Sequence, residues 1–162
     1  MINRSAAFGL ALLSLGLTVP STQAQNASAG RALAELTFKM VDVKEKGYVD
    51  QGDMELVRGQ IFTSVDTDEN SRLSLSEFLE WDYGFANIVA EQGGELAYKS
   101  ALTVVFSFWD RDGDGSISET EHRKAMIADF NRADLNGDAV LNEKEFLSGL
   151  SILVAVRSVL KQ

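Results

Sequence analysis

The stretch Asp110-Arg111-Asp112-Gly113-Asp114-Gly115-Ser116-Ile117-Ser118-Glu119-Thr120-Glu121 decides the fold of this chain. It places acids at its first, third, fifth and twelfth positions and a glycine at the sixth, where a sharp bend calls for a positive φ. Three further segments share its frame. Aligned on Asp42, Asp66, Asp110 and Asp134, each has a Phe four residues earlier, namely Phe38, Phe62, Phe106 and Phe130. Each also has an aliphatic residue seven later (Val49, Leu73, Ile117, Leu141) and closes on an acid eleven later (Asp53, Glu77, Glu121, Glu145). A solvated acidic turn would not hold that register with apolar residues on both sides.

The spacing is that of D-x-[DN]-x-[DN]-G-x5-E, a twelve-residue loop that wraps a hard divalent cation in oxygens. Ca²⁺ takes about six to eight such oxygens, from short side chains at positions one, three and five, a backbone carbonyl at seven and a longer acid at twelve. The candidate ligands are therefore Asp66, Asp68, Asn70, the Arg72 carbonyl and Glu77 in the second loop. In the third they are Asp110, Asp112, Asp114, the Ser116 carbonyl and Glu121; in the fourth, Asp134, Asn136, Asp138, the Val140 carbonyl and Glu145. Up to three Ca²⁺ ions are expected. Ser71 and Ala139 replace the turn glycine in the second and fourth loops, so both should bind more weakly than the third. The first loop holds Lys44 and Lys46 at positions three and five and a short Asp53 at twelve, so it should fold without metal, its ammonium groups standing in for a cation.

On these loops the sequence resembles the calmodulin-like EF-hand superfamily, over nearly all of residues 25–162. The resemblance implies an all-α EF-hand fold of about six helices, with three competent loops, one degenerate loop and short β-bridges joining paired loops. The separation of the loops decides the pairing. Met54 to Val65 and His122 to Ala133 are too short for two helices and a turn, so each should be one helix shared by consecutive loops. Sequence neighbours then sit at opposite helix ends. The longer Phe78–Trp109 connection reverses at Gln92-Gly93-Gly94 and lets loop two meet loop three, leaving loop one for loop four. Such spacing is similar to that of the lanmodulins, bacterial lanthanide-binding EF-hand proteins. This sequence departs from their pattern, with Thr67, Arg111 and Leu135 in place of Pro at position two and Ser74, Ser118 and Asn142 in place of Asp at position nine.

Composition narrows the function. The 162 residues carry a formal net charge of −9, which repels nucleic acid and anionic lipid and favours cations or basic partners. With no Cys and one His, thiolate chemistry and His-rich zinc sites are excluded. Met1–Ser5 with Arg4, the apolar run Ala6–Val19 and Thr22-Gln23-Ala24 have the layout of a secretory signal cleaved after Ala24, giving residues 1–24 as signal peptide and 25–162 as one domain. The mature chain is expected in the periplasm or outside the cell, free of the membrane. Extracellular Ca²⁺ favours a buffer or constitutively filled module over a switch that captures a protein partner, and no enzymatic activity is expected. The stretch Glu143 to Leu160 reads as one final helix, apolar around most of its circumference. His122 takes the place that Met54, Phe78 and Phe146 hold in the other repeats, as a semi-buried structural residue.

Overall fold

The structure is a computed structural model that describes residues 22–160, without the side chains of 22–28. Most of the expected signal segment lies outside the described residues. No helix among them is long and apolar enough to cross a membrane.

Four loops link helices α1 (Thr22–Val41), α2 (Gln51–Val65), α3 (Leu75–Glu80), α4 (Ala86–Glu91), α5 (Glu95–Trp109), α6 (Glu119–Ala133), α7 (Glu143–Gly149) and α8 (Ser151–Val159). Each loop contains a short strand: β1 (Tyr48–Asp50), β2 (Arg72–Ser74), β3 (Ser116–Ser118) and β4 (Val140–Asn142). The strands pair antiparallel as β1 with β4 and β2 with β3, the crossed arrangement that the loop spacing predicts. Val49 faces Leu141 and Leu73 faces Ile117, and all four side chains are buried. These pairs tie each loop couple to the core, because alternation along a strand points the central residue inward while its neighbours face the loop.

Helices α2 and α6 are the shared helices. Each is 15 residues long, about 22 Å at 1.5 Å per residue, and carries one loop at either end. They pack on each other, and Glu55 at 2.9 Å from the buried Arg58 also accepts from Arg123 of α6. Phe38, Phe62, Phe106 and Phe130 are buried at the ends of the entering helices. Phe78 gathers Phe106 and Trp109 edge-on at 5.6 and 5.5 Å, and with Phe85 and Tyr98 also buried most aromatics between Phe78 and Trp109 are core. Phe108 is the exception, 75% exposed on α5.

The reversal falls at Gly93, with φ +65°, whose N–H donates to the Ala90 carbonyl while Gly94 donates to Val89. Two further breaks raise the helix number among the described residues to eight, above the six or so expected. The helix leaving loop two stops after Glu80, and the last helix is split at Leu150, which is extended (ψ 133°). Side chains from α6 create the second break. Asp129 accepts from the Ser151 N–H at 2.7 Å, satisfying a free amide in the first turn of α8, and Arg132 donates to the Gly149 carbonyl at 2.8 Å. The split turns α8 back against α5, where Leu153 and Val156 are buried. The final apolar helix thus fills this chain's own groove.

Gly149 is required where α7 crosses the end of α6. A Cβ there would lie 2.3 Å from Ala133 Cβ and 2.5 Å from its Cα, and the second contact is backbone that cannot swing aside. Gly149→Ala is expected to cost about 2 to 3 kcal/mol, measured by urea unfolding. A cost near zero would show that α7 can shift freely at this crossing.

Candidate metal centre

Every loop enters its exiting helix through the same device. The residue at position nine (Asp50, Ser74, Ser118 or Asn142) is the N-cap, and the acid at position twelve accepts a hydrogen bond from its backbone N–H. This capping box holds the twelfth-position carboxylate over the loop. The first-position Asp is fixed from the other side. Asp66, Asp110 and Asp134 each accept the N–H of the sixth residue at 2.9 Å, from Ser71, Gly115 and Ala139 respectively.

Convergence follows from these two anchors. One carboxylate oxygen from each of Asp66, Asp68 and Glu77 lies within 4.8 Å of the others, and Asp110, Asp112 and Glu121 form the same arrangement. Glu77 Oε1 accepts from the Thr67 N–H at 2.9 Å, and Glu121 Oε1 from the Arg111 N–H at 2.9 Å, so each long acid spans its loop. Partial burial of Glu77 opposes ionisation, but donors from Ser74 and Thr67 outweigh it and bring its pKa down to about 2. Burial opposes ionisation of Glu121 too, and the same kinds of donor lower its pKa. Glu77 and Glu121 are therefore held in their anionic form, and both triads consist only of hard oxygens, the donor chemistry of Ca²⁺.

The fourth loop is built differently. Among the described residues its three acids Asp134, Asp138 and Glu145 form no such triad, and Asn136 brings an amide to position three. Asn136 Oδ1 accepts from the Asp138 N–H at 2.9 Å and its Nδ2 donates to Asp138 at 3.0 Å. In the second loop Asn70 donates in the same way to Asp68 at 2.8 Å. Arg72, Ser116 and Val140 open strands β2, β3 and β4, at the seventh position where the ligand would be a carbonyl.

Comparison with known proteins agrees with this geometry. Residues 103–125, the end of α5 and the third loop with the start of α6, match the EF hand family. The fold is an EF-hand fold. The chain is 30% identical over 101 residues to the calcium-binding protein SPEC 1A of Strongylocentrotus purpuratus, an alignment covering 54% of this chain and 62% of that protein. The chain thus spans less than two thirds of the length of this curated relative.

Within the EF-hand frame the first loop carries a built-in cation. Lys46 Nζ, at position five, donates to Asp50 at 2.5 Å and to Asp53 at 2.6 Å, while Asp42 accepts the Lys46 and Gly47 N–H groups at 2.9 and 2.7 Å. The hydrogen bond from Lys46 brings the Asp50 pKa down to about 2. Only one of the two expected ammonium groups does this. Lys44 is exposed, so position three faces solvent in this loop. Backbone strain lies where the sixth position predicts it, with Ser71 and Ala139 both at φ +64°. A Cβ in that region costs about 1 to 2 kcal/mol. Ser71→Gly and Ala139→Gly are each expected to tighten their own loop and to stabilise the fold by up to about 1 kcal/mol. Calorimetric titration and urea unfolding of each variant check this, and weaker binding would show that position six is not the limiting defect.

His122 is fully enclosed, not semi-buried, with ring centroids 5.5 Å from Phe62 and 5.4 Å from Trp109. Burial, reinforced by Arg58, lowers its pKa to about 4. Its folded pKa lies below the unfolded value of about 6.5, so the neutral ring favours folding above that pH. Stability is lost as pH falls from about 6.5 through 4, by about 2 to 3 kcal/mol. His122→Phe, the residue at this place in two other repeats, should flatten that part of the stability–pH curve, and an unchanged slope would assign the acid sensitivity to the loop carboxylates.

Proposed function

We propose that this chain is an exported Ca²⁺-binding EF-hand protein acting as a buffer or constitutively filled module, with sites in loops two, three and four. The observation that carries the reading is the convergence of Asp66, Asp68 and Glu77, and of Asp110, Asp112 and Glu121, each on a backbone already bent around the space between them. Asn70 and the Arg72 carbonyl, and Asp114 and the Ser116 carbonyl, would complete the two sets. Asp134, Asn136, Asp138, Glu145 and the Val140 carbonyl would hold a further ion, bound like that of loop two more weakly than the ion of loop three. A loop that wraps an ion in protein oxygens leaves no position for substrate, so the activity is binding and not catalysis. Export rests on the Met1–Ala24 pattern.

A buffer role is supported by the interior. A sensor needs an apolar groove for a partner helix, but α8 already occupies the face of α5. The cavity enclosed among Met54, Phe78, Trp109, His122 and Phe146 is about 140 Å³, far smaller than a helix would need, while a wider cleft of about 600 Å³ beside Ala34, Leu147, Leu153 and Val156 lies outside it. The crossed loop pairing favours a second reading, lanthanide binding, because it is the arrangement that the lanmodulin resemblance implies. Calorimetric titration of the chain with Ca²⁺, Mg²⁺ and La³⁺ tests both. Saturable Ca²⁺ binding without binding of Mg²⁺ is the expected result, tighter La³⁺ binding moves the assignment to lanthanides, and no heat with any ion overturns the metal reading. A hydrophobic dye that binds more strongly on adding Ca²⁺ would turn the role from buffer to sensor.

A further inference from the structure

Among the acids expected to line loop three, Asp114 stands apart. It occupies the fifth position, yet the converging oxygens of that loop come from Asp110, Asp112 and Glu121 without it. Its carboxylate is engaged elsewhere. Oδ1 accepts from the Ser116 N–H at 3.0 Å and the Ser116 hydroxyl at 2.9 Å, and Oδ2 is held by an Arg72 guanidinium N–H. Arg72 comes from the paired loop. It begins β2, lies across from Ser118 in the β2–β3 register, and donates through Nε to the Ser116 hydroxyl at 2.6 Å. The fork of its guanidinium thus grips the fifth and seventh residues of loop three together, the kind of two-point hold that planar Arg provides and Lys does not.

We infer that Arg72 is a tethered competitor for the cation of loop three, holding the Asp114 carboxylate until the metal displaces it. The inference rests on the metal reading of loops two and three. For Asp114 to become a ligand, its hold on the guanidinium must be loosened, and a monovalent positive charge beside the site must be tolerated by a divalent one. Both effects lower the affinity of loop three and leave loop four, paired with β1, untouched. The same residue has a second tie: its backbone carbonyl is the seventh position of loop two. Loop three, which has one carboxylate more than loop two in its ligand set, is thereby brought closer to its partner in strength. An affinity-setting residue for one site is carried on the backbone of the other.

The test uses the full chain and Ca²⁺, followed by NMR at the sixth-position amides of Ser71, Gly115 and Ala139. In the metal-free chain the Arg72 guanidinium Nη–H held by Asp114 should exchange slowly, and it should become free as the Gly115 signal reports filling of loop three. Arg72→Met should tighten loop three by roughly two- to fivefold, as expected for an exposed ion pair, without moving the midpoint at Ala139. Arg72→Lys should lie between Met and wild type, since it keeps the charge and loses the fork. An Arg72 Nη–H that stays protected through the titration, or a loop three that binds no better in Arg72→Met, overturns the inference while leaving the metal reading intact. A wild-type chain whose three amides do not respond to Ca²⁺ overturns the metal reading and the inference with it.

Discussion

Saturating Ca²⁺ is expected to raise the melting temperature of this chain by roughly 20 °C over the chelated protein. Each site filled at about 100 times its Kd adds about 2.7 kcal/mol to the folded state, because the unfolded chain cannot gather the same oxygens. Three sites give about 8 kcal/mol, and for a chain of this size each kcal/mol moves the transition by about 2 to 4 °C. The charge pattern adds to the effect. Asp66, Asp68 and Glu77 converge within 4.8 Å, as do Asp110, Asp112 and Glu121, in a protein whose formal net charge is already −9. Their repulsion is part of the cost of the metal-free fold and is relieved on binding. Differential scanning calorimetry with and without a chelator measures it, and an unchanged transition would remove the metal assignment altogether.

Glu121→Gln has the second largest expected effect, and the distribution of that effect is more telling than its size. The variant removes one unit of charge and one of the two oxygens that Glu121 would offer a metal, and is expected to weaken loop three at least tenfold. Loop two should weaken with it. Strand β2 pairs with β3 through Leu73 and Ile117, both buried, so disorder in one loop loosens the backbone of the other. Loop four should titrate almost as before, since β4 pairs with β1, whose loop is held by Lys46 whether or not metal is present. Site-resolved NMR titration distinguishes the outcomes, and a greater loss at loop four than at loop two would contradict coupling through the strands.

The crossed pairing was legible in the sequence because it follows from chain length alone: the segments that became α2 and α6 have room for one helix each. Much of the site was legible for a related reason. Metal ligands within one loop are local, so the position in the frame predicts the direction of Asp110 or Glu121, and the φ of Ser71 and Ala139 followed from the same frame. What escaped depends on contacts between distant segments. Gly149 reads as an ordinary helix residue until Ala133 is placed against it, and the break at Leu150 exists because Asp129 and Arg132 of α6 satisfy the helix ends there. Lys44 and Lys46 look equivalent by composition, yet only Lys46 lies on the side that faces Asp50 and Asp53. Arg72 was expected to matter through its carbonyl; its side chain found Asp114 only once β2 and β3 were aligned.

The pairing of β1 with β4 also sets the order in which the molecule can be made. Tyr48 meets Asn142, so loop one must wait for a partner that lies far later in the chain. No break in the middle of the chain yields two self-sufficient halves. A fragment ending at Gly93 would contain loops one and two, each severed from the strand that completes it. Contacts so far apart in sequence close slowly, since the intervening chain must be restrained before they form. A nascent chain would expose Val49 and the faces of α1 and α2 until its C-terminal helices arrive. The exported chain proposed above would gain from that delay, because a half-made chain has no stable fold to be undone on the way.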